Sequence, residues 1–202
     1  PLSCGHRSCP QCQNHLGALW LERQKRKLLP VQYFMVTFTI PQELRSVAWQ
    51  HQSIVYDILF KAAVEAVQTI GKNNHGLELA MTAVLHTHKR DKGFHPHIHL
   101  CVPGGGVIRR HDHVSWEAID EKFLVNEFAL AQVFRGIFLR LFFEQALILP
   151  YGLPKQWVAH IKTVGKGEQA LTYLSRYLYR GVISENDIMA DQQGKVTFQR
   201  CR

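Results

Sequence analysis

The sequence contains no run of about 18 uncharged apolar residues, so it predicts no membrane-spanning helix. The most apolar stretch, residues 136–150, is interrupted by Arg140 and Glu144. No signal peptide is visible at the polar start, and we find no internal repeat or low-complexity segment. We therefore expect a cytoplasmic protein with no membrane partner.

Cysteine is also scarce, and the odd number of five argues against a disulfide framework and fits a reducing compartment. Three of the five, Cys4, Cys9 and Cys12, nevertheless lie within nine residues as Cys-x4-Cys-Pro-x-Cys. Such a turn can present two thiolates to one zinc ion, and Cys4 can supply a third. The fourth ligand is left open between His6, His15 and a cysteine outside this chain. We predict a structural zinc site, the alternative being free surface thiols.

Acidic residues are outnumbered, with 16 Asp and Glu against 24 Lys and Arg, which gives a net charge of +8. A basic excess of this size points to a polyanionic partner, most simply nucleic acid. The alternative is an ordinary basic protein without such a partner.

The length of 202 residues suits one domain, or one domain with a small appendage. We expect a zinc-binding segment with a basic helix over residues 1–29 and a main domain over residues 30–202. Because the chain begins with Pro1 rather than Met and stops within a strand-like pattern, we expect it to be a piece of a longer protein.

Apolar periodicities divide the main domain into strand, helix, strand, strand, helix, strand, helix and strand. Two strands, residues 79–88 and 97–102, are joined by a short polar turn and should pair antiparallel. Gly104 to Gly106 should form a flexible loop after the second strand. This order predicts the α+β class, with helices packed on a central antiparallel sheet.

The predicted strand around Phe94–Val102 holds three alternating histidines. Side chains alternate between the faces of a strand, so His97 and His99 point the same way and can hold one metal ion. Neutral imidazole is a common ligand of first-row divalent metals. His86 and His88 lie on the neighbouring strand. The alternative is two polar residues on the solvent face of an edge strand.

Residues 168–180 predict a helix on which Tyr173 and Tyr177 share one face, four residues apart. A phenolate can attack a phosphodiester and hold it as a phosphotyrosine, and a divalent metal can polarise the scissile phosphate. The alternative is that the tyrosines are half-buried core residues. Basic side chains can hold neighbouring phosphates, and the candidates are Lys162, Lys166, Arg176 and Arg180.

Together these motifs resemble those of the two-tyrosine HUH transposases of rolling-circle insertion sequences, which carry an N-terminal zinc domain. HUH denotes His-hydrophobic-His, here His97-Ile98-His99. The resemblance covers nearly the whole chain, and its several blocks occur in the right order, which makes it more specific than any one motif. The matching blocks are residues 4–12, 33–44, 85–88, 94–106, 134–136 and 173–177.

The resemblance implies a DNA transposase that cleaves single-stranded element ends and target and transfers the cut strand. Tyr173 and Tyr177 would be the catalytic residues, which form 5′-phosphotyrosine intermediates. The cofactors would be Mg²⁺ or Mn²⁺ at the catalytic site and structural Zn²⁺. The implied fold is an RRM-like antiparallel sheet with the tyrosine helix across the metal site, in a bacterial protein that meets the nucleoid during activity.

The third ligand of the catalytic metal is not fixed by the motif. His88 is our prediction, because it lies nine residues before His97, where related nucleases often place an acidic ligand. The alternatives are His86, His160 and Gln169.

Two other functions fit parts of the sequence. The segment His95–Cys101 also matches the histidine-triad nucleotide hydrolases, in which a histidine attacks an α-phosphate without metal. That interpretation leaves the cysteines, the tyrosine pair and the charge unexplained. The other is a zinc-containing DNA-binding module without catalysis, which a covalent protein–DNA adduct would exclude.

Overall fold

The computed structural model describes residues 9–89, 93–110, 113–119, 126–178 and 188–198. The helices are α1 (Pro10–Lys25), α2 (Arg45–Gln50), α3 (Gln52–His75), α4 (Glu127–Glu144) and α5 (Glu168–Leu178). The strands are β1 (Tyr33–Thr39), β2 (Glu78–Leu79), β3 (Thr82–His88), β4 (Phe94–Pro103), β5 (Gly105–Arg110), β6 (His113–Ala118), β7 (Val158–Thr163), β8 (Ile188–Gln192) and β9 (Lys195–Phe198).

Four strands form the central antiparallel sheet in the order β3-β4-β1-β7. One face of this sheet is the apolar core, because β1 and β4 place alternate apolar residues on it. Val36, Phe38, Ile98 and Leu100 have no exposed surface, and Phe38 stacks on Phe134 of α4 with ring centroids 4.5 Å apart. The predicted α+β class with a central antiparallel sheet is confirmed.

The opposite face of the sheet is covered by α5. Leu171 and Leu174 of this helix are buried and form a second apolar cluster with Val84 and Cys101 of the sheet. Burial of a leucine side chain stabilises the fold by about 1.5–3 kcal/mol, so these two side chains hold α5 in place. The ammonium of Lys25 in α1 lies 2.5 Å from a carboxylate oxygen of Glu168 in α5.

The long helical pattern over residues 42–70 divides into a 3-10 turn at Gln42–Leu44 followed by α2 and α3. The break falls at His51, whose φ of −124° and ψ of 47° are not helical. At its other end α3 closes on Gly76, whose φ of 68° is the left-handed conformation typical of a glycine cap.

The expectation of a flexible loop at Gly104 to Gly106 is wrong for Gly105 and Gly106, which begin β5. This strand joins β2 and β6 in a three-stranded antiparallel sheet. A Cβ on Gly105 would lie 2.5 Å from the Trp116 ring, and one on Gly106 would lie 2.6 Å from the carbonyl oxygen of Glu78. These glycines therefore permit close packing of neighbouring strands.

Helix α1 packs against α5, so the N-terminal segment and the sheet domain are in contact. The division into residues 1–29 and 30–202 stays a prediction. Within the described ranges, no helix combines the length and the apolar character needed to cross a membrane.

Candidate metal and nucleophile site

Three histidines lie together on the sheet face that α5 covers. His97 and His99 are on β4, and His86 on β3 pairs directly with His97. One ring nitrogen from each of the three lies within 4.8 Å of the others. The ring centroids are 5.1 Å apart for His86 and His97, and 4.5 Å for His86 and His99. This arrangement, called the histidine group below, has the ligand chemistry of a metal site.

His88, which the sequence analysis favoured as third ligand, is not in the histidine group. The pairing register of β3 and β4 shifts between His86 and His88, so His88 pairs with Phe94. Its ring lies 5.8 Å from the Phe94 ring, and its Nδ1 is hydrogen-bonded to the hydroxyl of Thr87. An irregularity of this kind changes the direction of the side chains beyond it. The residue that lies beside His97 is therefore the alternative ligand, His86.

The other two alternatives lie elsewhere. His160 is exposed on β7, and its Nδ1 lies 3.0 Å from a carboxylate oxygen of Glu127. Gln169 is exposed on α5, one turn before Tyr173. The histidine group therefore makes His86 the best-placed third ligand.

Burial keeps the rings of the histidine group neutral. Desolvation, with a smaller contribution from His97, lowers the pKa of His86 to about 4. Desolvation, followed by the charges of His86 and His97, lowers the pKa of His99 to about 3. The pKa of His97 is also lowered by burial, against an opposing hydrogen bond to the His95 carbonyl. A neutral imidazole is the form that binds a metal ion.

Hydrogen bonds orient two of these rings. Nδ1 of His97 lies 2.7 Å from the carbonyl oxygen of His95, which can only accept, so Nδ1 carries the proton and Nε2 keeps its lone pair. Nδ1 of His99 is 2.8 Å from the hydroxyl of Thr37. Nε2 of His99 is buried and has no hydrogen-bond partner in the described part of the chain. A buried nitrogen in this state, with the other nitrogen held by a neighbour, fits a metal ligand.

Tyr173 of α5 stands beside the histidine group. Its ring centroid is 5.9 Å from that of His99 and 6.1 Å from that of His86. Tyr177 follows on the same helix after four residues, although its side chain lies outside the described part. The fold thus brings one predicted nucleophile next to the histidine group.

The candidate phosphate contacts lie near this face. Lys162 is exposed on β7 and pairs with Met35 of β1. Lys166 is exposed in the turn before α5, and Arg176 is exposed on α5. Arg180 lies outside the described residues. Lys166 and Arg176 therefore lie just before and on the helix that carries Tyr173, and Lys162 lies on the edge strand of the sheet.

The predicted zinc ligands are described in part. Cys9 directly precedes α1, and Cys12 is buried in its first turn. Neither forms a disulfide bond. Cys4 and His6 lie outside the described residues, and His15 is exposed on α1. Spacing by three residues places Cys9 and Cys12 on one side of the helix start, as a shared ion would require.

Sequence reasoning missed two side chains that bond histidine rings. They are Thr37, described above, and Arg45, whose Nη2 donates to Nδ1 of His95 at 2.7 Å. The alternation of β1 cannot by itself predict that Thr37 lies beside His99, because that also requires the pairing of β1 with β4. No motif marks Arg45.

Comparison with known protein families extends over both parts of the chain. A family model described as "Putative transposase" matches residues 80–202, and one described as "Transposase zinc-binding domain" matches residues 1–40. The first match covers more than half of the chain and includes the histidine group and Tyr173. The chain belongs to this transposase family. The resemblance seen in the sequence is confirmed.

Two curated relatives are similar along most of this transposase-family chain. The chain is 34% identical over 221 residues to "Putative transposase y4qJ" of Sinorhizobium fredii. The aligned region covers 98% of this chain and 55% of that protein. It is 27% identical over 197 residues to the transposase for insertion sequence element IS801 of Pseudomonas savastanoi pv. phaseolicola. This second aligned region covers 90% of this chain and 47% of the relative. The chain therefore spans about half the length of these relatives. No solved structure matches it significantly.

Proposed function

We propose that this chain carries the catalytic centre of a transposase that cuts single-stranded DNA through tyrosine and passes the cut strand on, as in rolling-circle transposition. The observation that carries the proposal is the position of Tyr173 against the histidine group. Membership of the transposase family and the net charge of +8 support a DNA partner.

His86, His97 and His99 would hold the divalent ion, Mg²⁺ or Mn²⁺, through neutral imidazole nitrogens. When bound, the ion supplies Lewis-acid polarisation of the scissile phosphate. The His95 carbonyl and the Thr37 hydroxyl keep two of the rings in the orientation that this binding needs.

Tyr173 supplies the nucleophile. Its oxygen attacks the phosphorus while the bond from phosphorus to the 3′ oxygen breaks, so the 5′ phosphate stays on the tyrosine and the phenolic proton ends on the released 3′-hydroxyl. Because one phosphodiester replaces another, the step is reversible. A 3′-hydroxyl of a second strand can attack the phosphotyrosine, which joins that strand to the 5′ phosphate and releases the tyrosine. Tyr177 serves the second cleavage that strand transfer requires.

The remaining predicted residues support this reaction. Lys162, Lys166, Arg176 and Arg180 bind phosphates beside the cut, which accounts for the basic surface around α5. Cys4, Cys9 and Cys12 hold the structural zinc at the start of α1. Activity takes place in the bacterial cytoplasm, on DNA of the nucleoid.

The test is incubation of the protein with labelled single-stranded oligonucleotides, with Mn²⁺, with Mg²⁺ and with EDTA. We expect a covalent adduct only with a divalent ion, mapped by mass spectrometry to Tyr173 or Tyr177. Duplex DNA of the same sequence is the matched control and should give little adduct. An adduct on another residue, or nucleotide hydrolysis that survives replacement of both tyrosines by Phe, would overturn the proposal.

A further inference from the structure

A second group of side chains lies on α2 and reaches the histidine group through His95. Arg45 and Trp49 are four residues apart on this helix and so share one face. Trp49 is 58% exposed, and its ring meets the Phe94 ring edge-on, with centroids 5.0 Å apart and planes at 83°. An indole supported by a ring below it and largely open to water is a preformed stacking surface.

Arg45 connects this surface to the histidine group. Its Nη2 donates to Nδ1 of His95, and the His95 ring lies 5.4 Å from the His97 ring. Because His97 belongs to the histidine group, one imidazole separates the Arg45 guanidinium from the metal-binding side chains.

The charge of Arg45 is not neutralised within the described residues. Its Nε is buried without a hydrogen-bond partner there, and none of the described ion pairs includes it. A buried donor of this kind costs free energy until an acceptor arrives, and a charge-assisted bond to an oxyanion is strong. The stretch from Arg45 to Ser53 contains no Asp or Glu, and the nearest acidic residue along the chain is Glu43, in the turn before α2.

We propose that Arg45 and Trp49 form a nucleotide subsite for single-stranded DNA next to the cleaved phosphate. Arg45 binds a backbone phosphate, and Trp49 stacks on the base of the same or the adjoining nucleotide. This inference rests on the proposed function and adds the residues that hold the strand beside the cut.

The chemistry matches a single strand better than a duplex. A cation and an exposed aromatic ring about one helical turn apart provide the two contacts that sequence-tolerant single-strand binders use, phosphate attraction and base stacking. In a duplex the bases are stacked on each other, so Trp49 would have no base face to meet.

The experiment measures affinity of the full chain for a labelled single-stranded oligonucleotide by fluorescence anisotropy in EDTA. Trp49→Ala should weaken binding about tenfold, within the range that a lost base stack gives, and Trp49→Phe should keep most of the affinity. The matched control is Phe143→Ala, since Phe143 is a similarly exposed aromatic residue on α4, the helix that packs on the sheet face opposite the histidine group. That variant should bind like the wild type.

The contribution of Arg45 to DNA affinity is distinguished from that of Trp49 by the salt dependence of binding. Arg45→Gln should reduce the slope of log affinity against log salt by about 0.7, because one phosphate contact is lost, whereas Arg45→Lys should restore it. Arg140→Gln, which removes the same charge from α4, is the control and should leave the slope unchanged.

The outcomes distinguish this inference from the proposed function. If the wild type forms the tyrosine adduct but Trp49→Ala and Phe143→Ala bind equally well, the subsite is wrong and the proposed function stands. If Trp49→Phe loses as much affinity as Trp49→Ala while its melting temperature is unchanged, base stacking is wrong. If the wild type neither binds a single strand nor forms an adduct, both proposals fail.

Discussion

The rings of Tyr173 and His99 are perpendicular, with centroids 5.9 Å apart. Tyr173 comes from α5, whose buried side chains Leu171 and Leu174 fix the helix on the sheet. His99 comes from the central strand β4 and is held by the Thr37 hydroxyl. The proposed nucleophile and a proposed metal ligand are therefore positioned by two rigid elements, as in-line attack on a phosphodiester would require.

The first prediction concerns the two tyrosines. Tyr173→Phe and Tyr177→Phe should each still form an adduct through the remaining tyrosine, but strand transfer should fall on the order of 10³-fold or more because one nucleophile is missing. The double variant should form no adduct. Adduct mass and strand-transfer product are measured together on one labelled substrate.

Tyr151→Phe is the control, because Tyr151 is fully exposed in the loop after α4. Full strand transfer by Tyr173→Phe would contradict the assignment of Tyr173.

The second prediction concerns the third metal ligand. His86→Ala should lower Mn²⁺ affinity by at least about 100-fold, because His86 lies in the histidine group, whereas His88→Ala should leave it within a few fold. Thr37→Val should have an intermediate effect of about 10- to 100-fold through the orientation of His99. Titration calorimetry or the electron paramagnetic resonance signal of free Mn²⁺ gives the affinity.

The reverse order, with His88→Ala the more damaging change, would support His88 as the third ligand, as the sequence predicts. Since the ligand set is all imidazole, Mn²⁺ should also bind more tightly than Mg²⁺.

The main sheet and the shared face of His97 and His99 follow from the sequence because strand alternation is a local property. The choice between His86 and His88 does not follow from it. That choice depends on a register shift between β3 and β4, which arises from how two strands meet and leaves no mark in either alone.

Strands β5 and β6 were missed for a related reason. Strand β5 begins with two glycines and ends with two arginines, so no apolar alternation marks it, and the alternation of Val114, Trp116 and Ala118 in β6 is short and mostly exposed. Arg45 was missed because its partner His95 is 50 residues away, and only the folded chain brings the two together.

The third prediction is a pH dependence of stability in the metal-free protein. The folded-state pKa values of His86 and His99, about 4 and about 3, lie below the ordinary value of 6.5. The unfolded chain therefore binds more protons, and the free energy of unfolding should be constant above pH 6.5 and fall as the pH drops below it. The slope is at most about 1.4 kcal/mol per pH unit for each histidine.

Urea unfolding in EDTA at pH 7.5, 6.5, 5.5 and 4.5 measures this slope. The double variant His86→Gln, His99→Gln should show a flatter profile than the wild type. Identical profiles for the wild type and the double variant would show that these two rings do not titrate as stated.

The fourth prediction concerns the turn that leads into α5. Gly165 and Gly167 both have positive φ, 57° and 83°, so alanine is strained at either position. At Gly165 a Cβ would meet nothing within 4 Å, whereas at Gly167 it would lie 2.8 Å from the Tyr33 ring. The carbonyl of Gly167 also accepts the backbone N–H of Leu171, so a shift here moves the start of α5.

Gly165→Ala should lower the free energy of unfolding by about 1–2 kcal/mol through backbone strain alone. Gly167→Ala should lower it by about 1–3 kcal/mol more because of the clash with Tyr33. Urea unfolding measures both. Because Gly167→Ala displaces the helix that carries Tyr173, its adduct formation should fall further than that of Gly165→Ala at a temperature where both variants are folded. Equal adduct rates in the two folded variants would mean that the contact of Gly167 with Tyr33 does not set the position of the nucleophile.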